Sequence, residues 1–296
     1  MDSEALRSKV SLHVSPAAPQ AQGKRVLAEK IAAGELFRHA AAARRPPFFH
    51  ACRRIDTPGQ KAYDRASNEN DENAQVRGMG YVLLYIALTW LGLMPANFLA
   101  KARGKKGLSL LCKAVPTALA AVFAAFGYFA AAAPDRYGLL IFVGLCVCTA
   151  ADVVLELRFE VGGALFFLGH MIYVAALSQY RVLSWWCLTV FLLALAGLWR
   201  FALGYRSHIR KPHLMAGVLV YAVALAALLA FSLPLPLLAP SRRSTLAALG
   251  AVLFVLSDMT LCHNLTLGRP ASCHFASLGV YYMGQLLLGL SAFPSV

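Results

Sequence analysis

The stretch "GAVLFVLSDMTLCHN" (250–264) places a carboxyl group, Asp258, inside an otherwise apolar run. A second, Asp152, lies in "TAADVVLEL" (149–157). Further polar groups punctuate other apolar runs: Lys113 in "LCKAVPTAL", His170 and Tyr173 in "FLGHMIY", and Tyr281, Tyr282 and Gln285 in "VYYMGQLLL". Two carboxyl groups are what general acid–base chemistry needs: one delivers a proton, the other steadies a developing cation or activates water. A histidine beside them orients a group or relays a proton, and a lysine suits a phosphate. Charges at membrane depth are costly unless paired or wet, so all of these are expected to face an interior cavity and not lipid.

The elements that must position them follow from composition. The chain has 296 residues, 59% of them hydrophobic, and a mean hydropathy of +0.59. That is the composition of an integral membrane protein. Residues 78–296 carry 15 Lys/Arg against five acids, Asp135, Asp152, Glu156, Glu160 and Asp258. The basic excess is scattered between apolar runs, as in short loops at lipid headgroups, and it makes no face for nucleic acid. Seven cysteines, mostly within apolar runs, read as small hydrophobes and carry no redox role.

Eight apolar runs of spanning length are expected near 79–98, 108–131, 137–155, 161–180, 182–203, 213–233, 245–262 and 275–293. No run alternates with period two, so a barrel is excluded. The fold class is therefore an all-α polytopic bundle of about eight transmembrane helices with a one-sided polar cavity. Residues 1–77, rich in turn and polar types, read as a mostly disordered tail without a secretory signal.

An up-and-down bundle also fixes depth. Asp152 and Asp258 sit near the ends of the third and seventh runs, which finish on one face of the membrane. His170, Tyr281, Gln285 and Lys113 lie on runs that enter from that face, so all fall within ~6–15 Å of it at a 1.5 Å rise per residue. Helical spacing puts Asp152 on a face with Thr149 and Glu156, His170 with Tyr173, and Tyr281 with Gln285, as local hydrogen-bonding companions. There is also a faint repeat: "TAADVVL" is echoed by "SDMTL", and "FLGHMIYVAALS" by "YMGQLLLGLS". The third and fourth runs would then be parallel copies of the seventh and eighth.

In order along the chain stand K-x-x-P at 113–116, a small residue then Asp152 and Leu155, F-x-x-G-H-x-x-Y at 166–173, Ser257-Asp258, and Y-x-x-Q at 282–285. Over roughly residues 108–293 this series resembles the YhhN-type lysoplasmalogenase family of eight-span membrane enzymes. The resemblance implies hydrolysis of the vinyl ether of a lysoplasmalogen, giving a fatty aldehyde and glycerophosphoethanolamine or glycerophosphocholine. Asp152 and Asp258 match the family's two aspartates, and His170, Tyr282 and Gln285 its further polar positions. Ala151 replaces the glycine that usually precedes the first aspartate; a small residue is kept.

The residues suit that chemistry. Vinyl ethers resist base and yield to acid, so no serine nucleophile is required, and no G-x-S-x-G motif is present. The expectation is Asp258 as acid, Asp152 as base, His170 as orienting or relaying group, Lys113 with the "KARGKK" loop on the phosphate, and Tyr173, Tyr281, Tyr282 and Gln285 against the lysophospholipid. No metal or other cofactor is expected: Cys262-His263 and Cys273-His274 match no standard zinc spacing. Read on their own, the residues leave open a metal-dependent intramembrane amidase of the ceramidase kind, with Asp152, His170 and Asp258 as ligands, and a proton-coupled transporter. Membrane lipids are the expected surroundings, with endoplasmic reticulum or another endomembrane as the location in a eukaryote.

Overall fold

The computed structural model describes residues 78–131, 133–209 and 212–293. The expectation of a disordered tail over residues 1–77 lies outside them. Among the described residues there is no strand, and eight long helices follow one another. They are α1 Gly78–Ala102, α2 Lys106–Phe129, α3 Arg136–Leu157, α4 Phe159–Leu177, α5 Trp185–Gly204, α6 Pro212–Ser232, α7 Arg242–Thr266 and α8 Ala271–Ser291. The first seven are long and apolar enough to cross a membrane. The eighth has spanning length, 21 residues, but carries His274, Tyr281, Tyr282 and Gln285 along its course. The protein is a polytopic helical membrane protein.

Local chemistry sets the ends and bends. Asp135 caps α3 by accepting from the Gly138 N–H at 2.9 Å. Ser241 and Ser244 form a reciprocal capping box at the start of α7. Arg181, at φ 52°, ends the 3₁₀ turn Ser178–Tyr180 that extends α4. Inside α1 a π-helical segment, Leu88–Leu93, precedes Pro95. Proline has no N–H for the carbonyl four residues back, and a wider turn accommodates the misfit.

Packing closes six of the helices into a ring: α2 on α3, α3 on α4, α4 on α6, α6 on α7, α7 on α8, and α8 back on α2. The other two are peripheral. α1 leans on α2 and α8, and α5 on α6. Accordingly α5 turns Trp185, Trp186, Leu192 and Leu193 outward, as a lipid-facing helix does. At one end of the ring Arg243 joins α7 to the Asp135 carboxylate and to the Ala292 carbonyl, and its guanidinium stacks over Tyr137.

The echo between "TAADVVL" and "SDMTL" has a structural counterpart. Gly144 lies eight residues before Asp152, and Gly250 eight before Asp258. A Cβ at Gly144 would stand 2.4 Å from the Tyr173 ring; one at Gly250 would stand 2.9 Å from Gly284 and Leu288. Tyr173 and Leu288 are in turn three residues beyond His170 and Gln285. The hairpins α3–α4 and α7–α8 thus pack in one register, with glycine admitting the Tyr173 ring in the first and the facing backbone at Gly284 and Leu288 in the second. The correspondence reaches α2 and α6, which flank the two hairpins at matching places in the ring.

Candidate functional site

Each ring helix contributes one side chain to a polar cluster. From α2, Thr117 Oγ1 donates to Asp152 Oδ2 at 2.6 Å. From α8, Tyr281 donates to the same oxygen at 2.9 Å. Asp152 itself, on α3, is 1% exposed. On the other side, Tyr221 of α6 donates to Asp258 Oδ2 of α7 at 2.7 Å. His170 of α4 brings Nε2 to 3.4 Å from that same Oδ2, close but not aligned as a hydrogen bond. Its Nδ1 lies 2.6 Å from the Phe166 carbonyl. A carbonyl only accepts, so Nδ1 carries the hydrogen, and in the neutral form of the ring it is the unprotonated Nε2 that faces Asp258.

The two carboxyl groups share no hydrogen bond. Phe254 stands between their clusters, with its ring centroid 4.4 Å from His170 and 5.4 Å from Tyr281. Asp258 keeps 13% side-chain exposure, whereas His170 is wholly buried. Asp258 is therefore the more exposed of the two carboxyl groups, and the rings of Phe166, Phe254 and Tyr281 pack edge to face beside the Asp152 cluster.

The partners cross between the halves. Asp152 takes one hydroxyl from its own preceding helix, α2, and one from α8 of the other hairpin. Asp258 takes its hydroxyl from α6 and faces His170 on α4 of the other hairpin. This arrangement corrects the expectation of local companions. Thr149 bonds the Leu145 carbonyl in its own helix, and Glu156 takes Lys101 and Lys113. Gln285 accepts from Tyr173 at 2.8 Å across helices, and does not pair with Tyr281. A carboxylate one helical turn away points past its neighbour; the helix opposite points at it.

The remaining expected residues fall around this core. Tyr173 and Gln285 are fully buried together, and the Gln285 Nε2 has no partner. Tyr282 sends its hydroxyl to the Lys113 carbonyl at 2.9 Å, tying α8 to the turn of α2 that Pro116 disturbs. The Lys113 ammonium meets Glu156 at 3.3 Å and touches neither aspartate. Asp258 lies eight residues before the end of α7, since that helix continues past His263 to Thr266. It is thus about 12 Å in, against the 7–8 Å expected from the apolar run.

Thr117 and Tyr221 were not legible as site residues. Thr117 follows the K-x-x-P run one turn beyond Lys113, and Tyr221 is a lone polar ring in "MAGVLVYAVALAALLAF"; only the ring closure reveals what they face.

His263 Nδ1 pairs with the Tyr205 hydroxyl at 2.6 Å. Among the described residues no three His, Cys, Asp or Glu side chains gather as a metal set. A groove of about 510 Å³ lies elsewhere, between α5 and α6 at the opposite end of the bundle, and its lining is apolar apart from Ser184 and Cys187.

Residues 108–292 match the model of the YhhN family. The chain belongs to the YhhN family. The matched segment runs from α2 to α8 and takes in the whole ring; α1 lies outside it. The matched segment thus includes all six helices that carry the polar side chains, together with α5. No curated protein and no solved structure matches the chain.

Proposed function

We propose that this YhhN protein hydrolyses the vinyl ether of lysoplasmalogens by carboxyl acid–base catalysis. The observation that carries the reading is the pair of buried carboxyl clusters, differently furnished, inside the ring that defines the family match. Asp152 Oδ2 already accepts two hydroxyl protons, which suits a carboxylate. Asp258 faces an imidazole nitrogen that also accepts, so a proton belongs between them.

The reading assigns Asp258 as acid. Its proton goes to the β-carbon of the alkenyl ether, and the electron pair of the double bond forms the new C–H bond. The oxygen-stabilised cation left behind is held by the Asp152 carboxylate. Water adds to that cation and gives its proton to His170 Nε2, which passes it to Asp258. The hemiacetal then collapses to a fatty aldehyde as its hydroxyl proton moves to the departing glycerol oxygen. This is the division of labour of two-carboxyl glycoside hydrolysis, applied to a lipid. The closed rings of Phe254, Phe166 and Tyr281 around the clusters would keep bulk water from the cation.

The test is aldehyde release from a 1-alkenyl lysophospholipid by the purified protein, with the 1-alkyl analogue as control. Only the vinyl ether should yield aldehyde, and Asp152→Asn and Asp258→Asn should each cut its release about 10²- to 10⁴-fold. Wild-type release in both variants would refute the mechanism. Ligand-driven transport into liposomes without aldehyde would favour a carrier.

A further inference from the structure

One group of charges is not used by the chemistry above. Lys101, from the end of α1, places its ammonium 3.2 and 3.3 Å from the two oxygens of Glu156. Lys113, from α2, reaches one of those oxygens at 3.3 Å. Two cations thus meet on one carboxylate. Lys113 is nearly enclosed at 12% exposure, Glu156 is 32% exposed, and Lys101 is 61% exposed. The lysines differ in how firmly they are held: one is part of the wall, the other a long arm from solvent.

The group stands in register with the Asp152 cluster. Glu156 is four residues beyond Asp152 on α3, and Lys113 four before Thr117 on α2. Four residues of helix are about 6 Å. An ether oxygen and a phosphate ester oxygen on the two end carbons of a glycerol are about 5 Å apart on extended single bonds of ~1.5 Å. A lipid whose ether lies at Asp152 therefore has its phosphate at Lys113. The other half of the ring lacks the device: the residue four beyond Asp258 is Cys262.

A site for phosphate alone gains nothing from a carboxylate between its lysines. A zwitterion does. We propose that Lys101, Glu156 and Lys113 form a headgroup clasp for an amine-bearing phosphodiester: Lys113 holds the phosphate and Glu156 takes the substrate's ammonium, in the seat that Lys101 fills in the free protein. The proposal deepens the lysoplasmalogen reading and rests on it for the class of ligand. Lys101 is then a displaceable stand-in, and Glu156 the specificity-determining residue.

The experiment uses binding, not turnover. Three 1-alkyl lipids that cannot be cleaved are titrated onto the purified full chain: lysophosphoethanolamine, the same lipid ending in phosphate alone, and alkylglycerol without phosphate. Wild type should prefer the amine-bearing lipid over the phosphate-only one. Glu156→Gln should shrink that preference about two- to fivefold, the range of a partly exposed ion pair. Lys113→Met should weaken both phosphate lipids similarly and leave alkylglycerol unchanged. Lys101→Met should enlarge the preference for the amine, because its competitor is gone; a purely structural tie gives no such gain. An unchanged preference in Glu156→Gln, or a reduced one in Lys101→Met, would overturn the proposal. Aldehyde release from the alkenyl lipid is scored separately, so a failed hydrolysis reading and a failed clasp are distinguishable.

Discussion

Replacing Tyr221 by Phe removes one atom from the candidate site. The ring remains, edge-on to His170 with centroids 5.2 Å apart and 77° between planes. What goes is the hydroxyl that donates to Asp258 Oδ2 at 2.7 Å. If Asp258 delivers a proton to carbon, it becomes a carboxylate in the transition state, and that hydroxyl strengthens as the charge develops. A hydrogen bond to a charged group is worth about 1.5–3 kcal/mol. Lost only in the transition state, this lowers kcat about 10- to 150-fold and leaves KM nearly unchanged. The assay is aldehyde release from an alkenyl lysophosphoethanolamine in detergent micelles, with kcat and KM taken separately. A double-mutant cycle sharpens it: in an Asp258→Asn background Tyr221→Phe should have no further effect, because its partner in catalysis is already gone. If Tyr221→Phe keeps wild-type kcat, or if it lowers the residual rate of Asp258→Asn by its full single-mutant factor, the hydroxyl does not act through Asp258 and the assignment of the acid fails.

Other outcomes follow from the same geometry. Asp152→Asn and Asp258→Asn should each cut aldehyde release about 10²- to 10⁴-fold, with retained melting temperatures showing that the ring still forms. Hydrolysis in D₂O, with the aldehyde reduced as it forms, should place one deuterium on the carbon next to the carbonyl, read by mass spectrometry; its absence would exclude protonation of the β-carbon. Gly144→Ala must displace the Tyr173 ring, which stands 2.4 Å from the added carbon, and should cost about 1–3 kcal/mol of stability as overpacking, seen as a lower melting temperature. Gly163→Ala, with nothing within 4 Å, is the neutral control.

Much of the fold was legible because apolar run length is a direct reading of bilayer thickness. The eight runs correspond to eight helices, and an up-and-down course sets Asp152, Asp258, His170 and Tyr281 on neighbouring helices of the ring, where they divide into two clusters with Phe254 between them. What the sequence did not disclose depends on neighbours across the ring. Thr117 and Tyr221 are ordinary residues until α2 is seen beside α3 and α6 beside α7. Their alcohols then prove to be the donors nearest the carboxyl groups, at 2.6 and 2.7 Å. The end of α7 was hidden for a different reason. Cys262 to Thr266 are too mixed to read as membrane, yet the helix runs on until Gly268, at φ +60°, allows it to stop. The local companions expected for Asp152 failed because helical spacing shows which residues share a face, and not which of them reach inward.

The pseudo-twofold ring explains why two similar carboxyl groups need not do the same work. In register, Phe166 corresponds to Tyr281 and His170 to Gln285. Each aspartate looks across at the other hairpin, so these are the positions at which the halves can be made unlike. Asp152 meets a tyrosine hydroxyl where the second half would otherwise show it a phenylalanine. Asp258 meets an imidazole where the first half would otherwise show it an amide. A symmetric ring would hold two equal acids, and two equal acids can both be neutral or compete for one proton. One phenol and one imidazole, placed at corresponding sites, give a donor-rich oxygen on one side and a proton partner on the other. On the proposed reading, that difference separates the group that carries the proton, with His170 beside it, from the group that carries the charge.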